Sequence, residues 1–404
     1  MKVLFITWEG PQTNYLESLF IPILSGLKSK GMDVEVIQFT WENYNRIAII
    51  SRKCREKDIP YTAQRIIRKP KVIGALLSVL IGVFFTRKYI QSHKVNILLT
   101  RSILPSLIGI FASRRIPNIS LVFDGDGLPY DERVDFSGLN PGSLVYRVMR
   151  DQESQIVRVS KSVITRSTIS ADILLARSGA NTNRSKFYVV NNGRNTDQFT
   201  PMSLEHGKKI RSQLGWPEDC PILVYAGSLG AQYCESQMIS FFKMVFEQNE
   251  KTRWLILSAD VKRSEALKNN CGTLSTNIIS MHVDSEKIPI YLSAADLGIA
   301  LRKPSFSMKA VSPIKLGEYL LCGVPVIATG GIGDTENILD ESIGFLANTE
   351  SSNSLLLAAK WFNHEVLPNR ATYRSACRNR GLKYFSLDTT VKEYEAAIQH
   401  ALKK

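Results

Sequence analysis

Ser312-Pro313-Ile314-Lys315-Leu316-Gly317-Glu318-Tyr319-Leu320-Leu321-Cys322-Gly323-Val324-Pro325-Val326-Ile327-Ala328 reads as a short helix that stops at a glycine and passes directly into a buried strand. Ser312 has the side chain of a helix N-cap, Pro313 suits the first helical position, and Gly323 supplies the left-handed turn that ends a helix. Residues 324–328 form a continuous apolar run, the pattern of a strand covered on both faces and therefore of a parallel sheet.

The same alternation extends outward in both directions. Apolar runs at residues 222–226, 254–258, 278–282, 297–301 and 324–328 are separated by helix-length segments and predict one doubly wound sheet. An earlier series at residues 3–7, 34–39, 96–100, 120–123, 162–165 and 187–190 predicts another. Between them Asn191-Asn192-Gly193-Arg194-Asn195-Thr196-Asp197, ending at Phe199-Thr200-Pro201, is rich in turn-forming residues and marks the link. The chain is thus expected to be α/β, with two Rossmann-like doubly wound domains at 1–200 and 201–389 and a last helix over 390–404. Its 404 residues agree, at about 100–200 residues per domain. Ligands of such sheets bind beyond the carboxyl ends of the strands, so two sheets facing each other would frame a central cleft.

Composition excludes several classes. Hydrophobic residues at 44% and charged residues at 22% are globular values, which argues against a disordered chain. The six cysteines contain no C-x-x-C pair and the five histidines fall at no ligand spacing with them, so structural zinc is not expected and a reduced, cytoplasmic setting is. Lys2-Val3-Leu4-Phe5-Ile6-Thr7 lacks the apolar length and cleavage site of a signal peptide. The formal charge is +14, and it is concentrated: residues 46–101 hold thirteen Lys or Arg against Glu56 and Asp58. Nucleic acid is one partner for such charge, but an aromatic-rich basic motif is missing, and no nucleic acid is expected. An anionic membrane surface is the expected partner. Within this stretch the apolar run 72–85, flanked by Arg68-Lys69-Pro70-Lys71 and Arg87-Lys88, is shorter than the roughly 20 residues needed to cross a bilayer. It suits either a buried helix or a peripheral contact on the cytoplasmic face of the inner membrane.

Lys315 and Glu318 lie three apart and share one helix face. At a cleft edge the cation would meet a diphosphate and the carboxylate a ribose diol; elsewhere they would be an ordinary surface ion pair. Gly227 and Gly230, in Ala226-Gly227-Ser228-Leu229-Gly230 after a strand, permit close backbone approach to phosphate, as does Gly10 after the first strand. Asp124-Gly125-Asp126 has carboxylates two apart at a strand end, which suit a divalent ion, a catalytic carboxylate near an acceptor hydroxyl, or a cap for the loop that follows.

Taken together, the stretch 312–328, the 191–201 turn, the glycine loop and Ala294-Ala295-Asp296-Leu297 resemble, in order, the signatures of glycosyltransferase family 4, of the bacterial surface-polysaccharide type. These are retaining enzymes of the GT-B fold. The resemblance spans nearly the whole chain and implies an N-terminal acceptor-binding domain, a C-terminal nucleotide-sugar-binding domain and a last helix returning to the first. It further implies a hexosyltransferase without metal or other cofactor, using a nucleotide diphosphate sugar as donor and a saccharide, or lipid-linked saccharide, as acceptor in polysaccharide biosynthesis. Glu318 matches the ribose-binding carboxylate. Two positions depart from the pattern: the family's first Glu is Ala310, and the Arg after its first C-domain glycine is Ser228. The phosphate charge is then assigned to Lys315 and Arg302 first, then Lys262, with Arg263 and Lys303 beside them. The site expected from these readings has Asp124 and Lys315 as catalytic groups. The donor is expected at Glu318, Lys315, Ser312, Arg302, Lys262, Gly227, Ser228 and Gly230, with Gly10 on the N-domain side and no metal. A sugar-nucleotide epimerase shares the fold but needs carboxylates and a histidine gathered in the cleft. A basic nucleic-acid-binding protein is the non-enzymatic alternative.

Overall fold

A computed structural model describes residues 1–11 and 13–403; the side chains of Lys71 and Val72 also lie outside the described residues. The chain divides into two units, 1–191 with 387–404, and 192–386.

In the first unit seven strands form one parallel sheet. They are β1 (Lys2–Glu9), β2 (Asp33–Thr40), β3 (Tyr61–Arg65), β4 (Ile97–Arg101), β5 (Ser120–Asp124), β6 (Ser162–Thr165) and β7 (Phe187–Val189), in the order β3-β2-β1-β4-β5-β6-β7. The register sets Val3 beside Val34 and Ile97, so the apolar runs align across the centre. Helices cover both faces, with Phe5, Phe20, Leu24 and Leu99 in one core and Leu4, Ile37, Phe39 and Ile108 in the other. The last helix, Leu387–Leu402, belongs to this unit: Val391, Tyr394, Ala397, Ile398 and Ala401 recur at helical spacing and enter the first core. Gly26 admits it, since a Cβ there would lie 2.4 Å from Val391 Cγ2.

The second unit repeats the plan with β8 (Ile222–Ala226), β9 (Arg253–Leu257), β10 (Ile278–Met281), β11 (Leu297–Ala300), β12 (Val326–Thr329) and β13 (Gly344–Ala347), ordered β10-β9-β8-β11-β12-β13 and all parallel. In this order the chain reverses direction of growth between β8 and β11, and their carboxyl ends are the switch point where ligands bind in such sheets. The helix Ile314–Leu321 is pressed against the helix Arg370–Phe385 through paired glycines. A Cβ on Gly317 would meet the Phe385 ring at 2.8 Å, and one on Gly381 would meet Leu321 N at 2.7 Å.

Three expectations are corrected here. The boundaries fall at 191/192 and 386/387 instead of 200/201 and 389/390, because the linking turn is bonded into the second unit: Arg194 N donates to Phe385 O at 2.8 Å, and the Arg378 guanidinium donates to Phe199 O and Leu321 O. The helix begins at Ile314 with Pro313 in the cap position, so Ser312 is not its N-cap. The apolar run 72–85 is the N-terminal part of a longer helix, Lys71–His93, which by length and composition is apolar enough to cross a membrane over Ile73–His93.

Candidate functional site

In the second unit the carboxyl ends of β8 and β11 carry Gly227 and Arg302. Gly227 and Gly230 hold φ of +133° and +145°, a region closed to residues with a Cβ, so both glycines are required by the backbone. Gly227 and Ser228 are exposed. Gly230 is less available, because its N–H donates to Glu235 Oε1 at 2.9 Å. That carboxylate is held in turn by Arg263 Nε at 2.7 Å. Arg263 is therefore the cation tied to the glycine loop. Lys262 is exposed in the first turn of the helix Val261–Asn269, and no contact among the described residues brings it to the loop.

Lys315 leaves the first turn of the helix Ile314–Leu321 and is 8% exposed. Its Nζ lies 3.9 Å from the Tyr225 ring centroid, 4.3 Å from that of Tyr233, and 3.4 Å from where a Gly227 Cβ would stand. Among the described residues Nζ has no hydrogen-bond partner. Burial pushes its pKa well below 10.5, the neighbouring Arg302 guanidinium adds to the fall, and Glu318 opposes it. Among the described residues the hydrogen-bond partners of the Arg302 guanidinium are neutral: Gln232 Oε1 at 3.3 Å, Tyr233 Oη at 3.2 Å and Met308 Sδ at 3.6 Å, and it lies over the face of the Tyr233 ring. The backbone bridge between Tyr233 and Arg302 fixes this arrangement.

Glu318, one turn on from Lys315, does not pair with it. Its Oε1 accepts from Arg194 Nε at 2.9 Å and Nη2 at 2.7 Å. Asn192 reaches the same helix start, with Nδ2 donating to Ser312 O at 2.8 Å. Ser312 thus binds the linking turn in place of capping the helix. Tyr319 locks the helix to the sheet: its hydroxyl accepts from Ala226 N at 2.7 Å, beside the crowded Gly298. Ala310, at the position of the absent acid, is fully buried.

The N-domain residues fare differently. Asp124 is fully buried, with both oxygens held by Arg166 Nη2 at 2.7 and 2.8 Å and Oδ2 also accepting from the Tyr394 hydroxyl at 2.5 Å. It cannot serve as a catalytic group there; it anchors the last helix. Asp126 is paired with Arg101, so the D-x-D carboxylates are already neutralised by arginines. Gly10 is buried against Trp41, whose ring a Cβ would strike at 2.1 Å, so packing explains this glycine. No group of three metal-ligating side chains occurs among the described residues. Sequence reading missed Arg194, Tyr225, Tyr233, Arg101 and Arg166; the last two carry a visible signal, an arginine directly at or after the end of a buried strand.

An exposed glycine turn, two cations without an acid between them and a carboxylate on the following turn together suit an anionic nucleotide. Residues 207–380 match the family of glycosyl transferases group 1. The match lies wholly within the second unit. A search of curated proteins found no match. Among solved structures, HepE of Anabaena in complex with UDP superposes with a TM-score of 0.74 at 18% identity, covering 99% of this chain and 100% of that one. A glycosyltransferase of Rickettsia africae gives 0.76 at 17% identity, with 100% and 99% covered. WaaG, described as a glycosyltransferase involved in lipopolysaccharide biosynthesis, gives 0.68 at 16% identity, with 98% of each chain covered. The fold is therefore GT-B, two parallel-sheet α/β domains, and group 1 glycosyltransferase similarity is seated on the half that holds Lys315 and Glu318.

Proposed function

We propose that this protein is a retaining glycosyltransferase that moves a hexose from a nucleoside diphosphate sugar, bound in the second unit, to a saccharide hydroxyl in polysaccharide biosynthesis. What carries this reading is the Lys315 ammonium: buried, against the backbone of Gly227 at the switch point, and without a hydrogen-bond partner among the described residues. A buried cation in that state favours an anion strongly, and a diphosphate supplies two charges where a strand end already presents backbone. The UDP and glucose in the HepE structures support a nucleoside diphosphate sugar as the donor class.

In this reading Lys315 and Arg302 face the diphosphate, and the exposed Gly227-Ser228 backbone lies beside it. Glu318, fixed by Arg194, accepts hydrogen bonds from the ribose diol. Cations so placed stabilise the leaving diphosphate as its charge grows in the transition state. The departing phosphate oxygen takes the acceptor proton, so no protein nucleophile is required. Cationic side chains take the part of a metal at the diphosphate, and the acceptor is assigned to the first unit.

The test is a screen of nucleotide sugars by thermal shift, followed by transfer assays with the donor that stabilises the protein. Donor-dependent stabilisation lost in Lys315→Ala supports the reading. A donor consumed without acceptor, yielding an epimer, would replace it with the epimerase alternative.

A further inference from the structure

The helix Lys71–His93 commits one face to the first unit. At Gly82 a Cβ would come within 2.9 Å of Ile108 Cδ1 and Phe39 Cε1, Ser78 Oγ accepts from Ile67 N at 2.7 Å, and Thr86 and Ile90 are buried. The opposite face is bare. Ile73, Leu76, Leu77, Leu80, Ile81 and Phe84 are exposed by 56, 61, 43, 57, 46 and 74%. Their spacing of three and four residues makes a single stripe. Phe111, exposed by 47% on the adjoining helix Ile103–Ser113, is a further bare apolar side chain on the element packed beside it. Isolated apolar residues are ordinary on a soluble surface, but a contiguous stripe of this length marks a contact.

We infer that this stripe is the face by which the protein docks on an anionic lipid bilayer, with the helix lying in the plane of the interface. The charge around it selects that occupant. Lys88, exposed, follows Phe84 by four residues and continues the stripe at one end, while Arg87 is turned to the neighbouring helix, where it donates to Ala112 O and Arg114 O; the helix contains no acid, and residues 46–101 hold thirteen basic residues against two acids. Both acids are already near cations, Glu56 with Arg52 and Asp58 with Lys28. A second copy stacked on the same stripe would bring these like charges together, whereas anionic headgroups would neutralise them. Spanning is disfavoured by the buried face, because crossing the bilayer would strip the helix from Phe39, Ile108 and Ile67.

The structure also moves the weight of binding from charge to apolar insertion. Arg65 donates to Glu42 O at 2.9 Å and covers the Tyr44 ring, and Arg68 lies over Trp41, so these arginines are already engaged within the unit. The inference does not depend on the donor reading, since a lipid surface need not be the substrate.

Phosphatidylcholine vesicles with and without phosphatidylglycerol, sedimented at low and high salt, test it on the full chain. The wild type is expected to sediment with phosphatidylglycerol vesicles and to keep part of that binding at high salt. The combined variant Leu76→Gln, Leu80→Gln, Phe84→Gln changes only exposed side chains and should lower partitioning at least about tenfold at both salts. The pair Lys69→Gln, Lys88→Gln should lower it about fivefold per residue at low salt only. Melting temperature and UDP titration run in parallel report the fold and the donor site, so failure of either reading is seen separately. Wild type left in the supernatant, or triple-variant binding equal to wild type, overturns the inference. A vesicle-free wild-type dimer that the triple variant converts to monomer also overturns it and makes the stripe an interface between copies.

Discussion

Replacing Lys315 by methionine should stabilise the unliganded protein while removing donor binding. The amine is buried, sits on two tyrosine rings and has no hydrogen-bond partner among the described residues. An unsatisfied buried polar group costs about 1–3 kcal/mol, and the cation–π contacts return about 0.5–1 kcal/mol each while the amine is charged. Methionine keeps the length and a favourable sulfur–ring contact. The net gain is about 1 kcal/mol, or about 2–4 °C in melting temperature for a unit of this size. The sign with pH follows from the depressed pKa. Between the lowered value and 10.5 the unfolded chain binds a proton that the folded one does not, so stability rises with pH across that window and falls as pH drops through it. The methionine variant loses this slope. An arriving diphosphate favours the charged amine, so at a pH above the lowered value donor binding takes up a proton, visible by calorimetry in buffers of different ionisation enthalpy. Losing that charge-assisted contact costs about 1.5–3 kcal/mol, roughly ten- to a hundredfold in affinity. A variant that melts several degrees lower, or binds UDP with unchanged affinity and unchanged proton uptake, refutes the reasoning.

Glu318→Ala should weaken nucleotide affinity or turnover about ten- to a hundredfold with the fold retained, and titration beside a thermal melt checks both. Since it also removes the carboxylate that accepts from Arg194, Glu318→Gln should recover part of the loss. Activity should survive chelation: full loss with EDTA and rescue by manganese would return Asp124 and Asp126 to the site as ligands. Asp124→Asn should instead act on stability, costing about 3–5 kcal/mol in a urea titration because it strands the buried Arg166 charge, while UDP affinity measured below the transition stays within about twofold.

Central strands were legible because they are buried on both faces and read as unbroken apolar runs; all eleven expected runs overlap strands. Two strands were not. Tyr61-Thr62-Ala63-Gln64-Arg65 and Gly344-Phe345-Leu346-Ala347 are partly exposed edge strands, and an edge leaves the sequence free: β7 and β10, at the opposite edges, keep a readable apolar run, whereas β3 is mostly polar and β13 is short and opens on a glycine. The site divides in the same way. Lys315, Glu318 and the glycine loop lie within short stretches whose local order carries meaning. Arg194 does not: its partner is 124 residues away, and only the folding of the linking turn onto the helix Ile314–Leu321 joins them. Spacing suggested a ligand pair at Asp124 and Asp126, yet spacing says nothing of burial; Arg166 and Tyr394, far along the chain, decided the role of Asp124, and Arg101 that of Asp126.

The two sheets have the same topology at their switch points, so topology alone does not say which one holds an anion. Charge balance does. At the ends of β1, β4, β5 and β6 the buried arginines are matched: Arg101 with Glu9 and Asp126, and Arg166 with Asp124. At the ends of β8 and β11, no carboxylate among the described residues pairs with Lys315 or Arg302. A self-neutralised end gains little from a diphosphate, because each new contact must first break an ion pair that is buried and well aligned. An end with two uncompensated cations gains from each phosphate oxygen that arrives, and its desolvation cost has already been met in folding. Lys315 reaches the backbone of Gly227 from the helix Ile314–Leu321, and Arg302, held on the Tyr233 ring at the end of β11, adds its charge beside Lys315, so this end carries cationic charge although Ser228 supplies none.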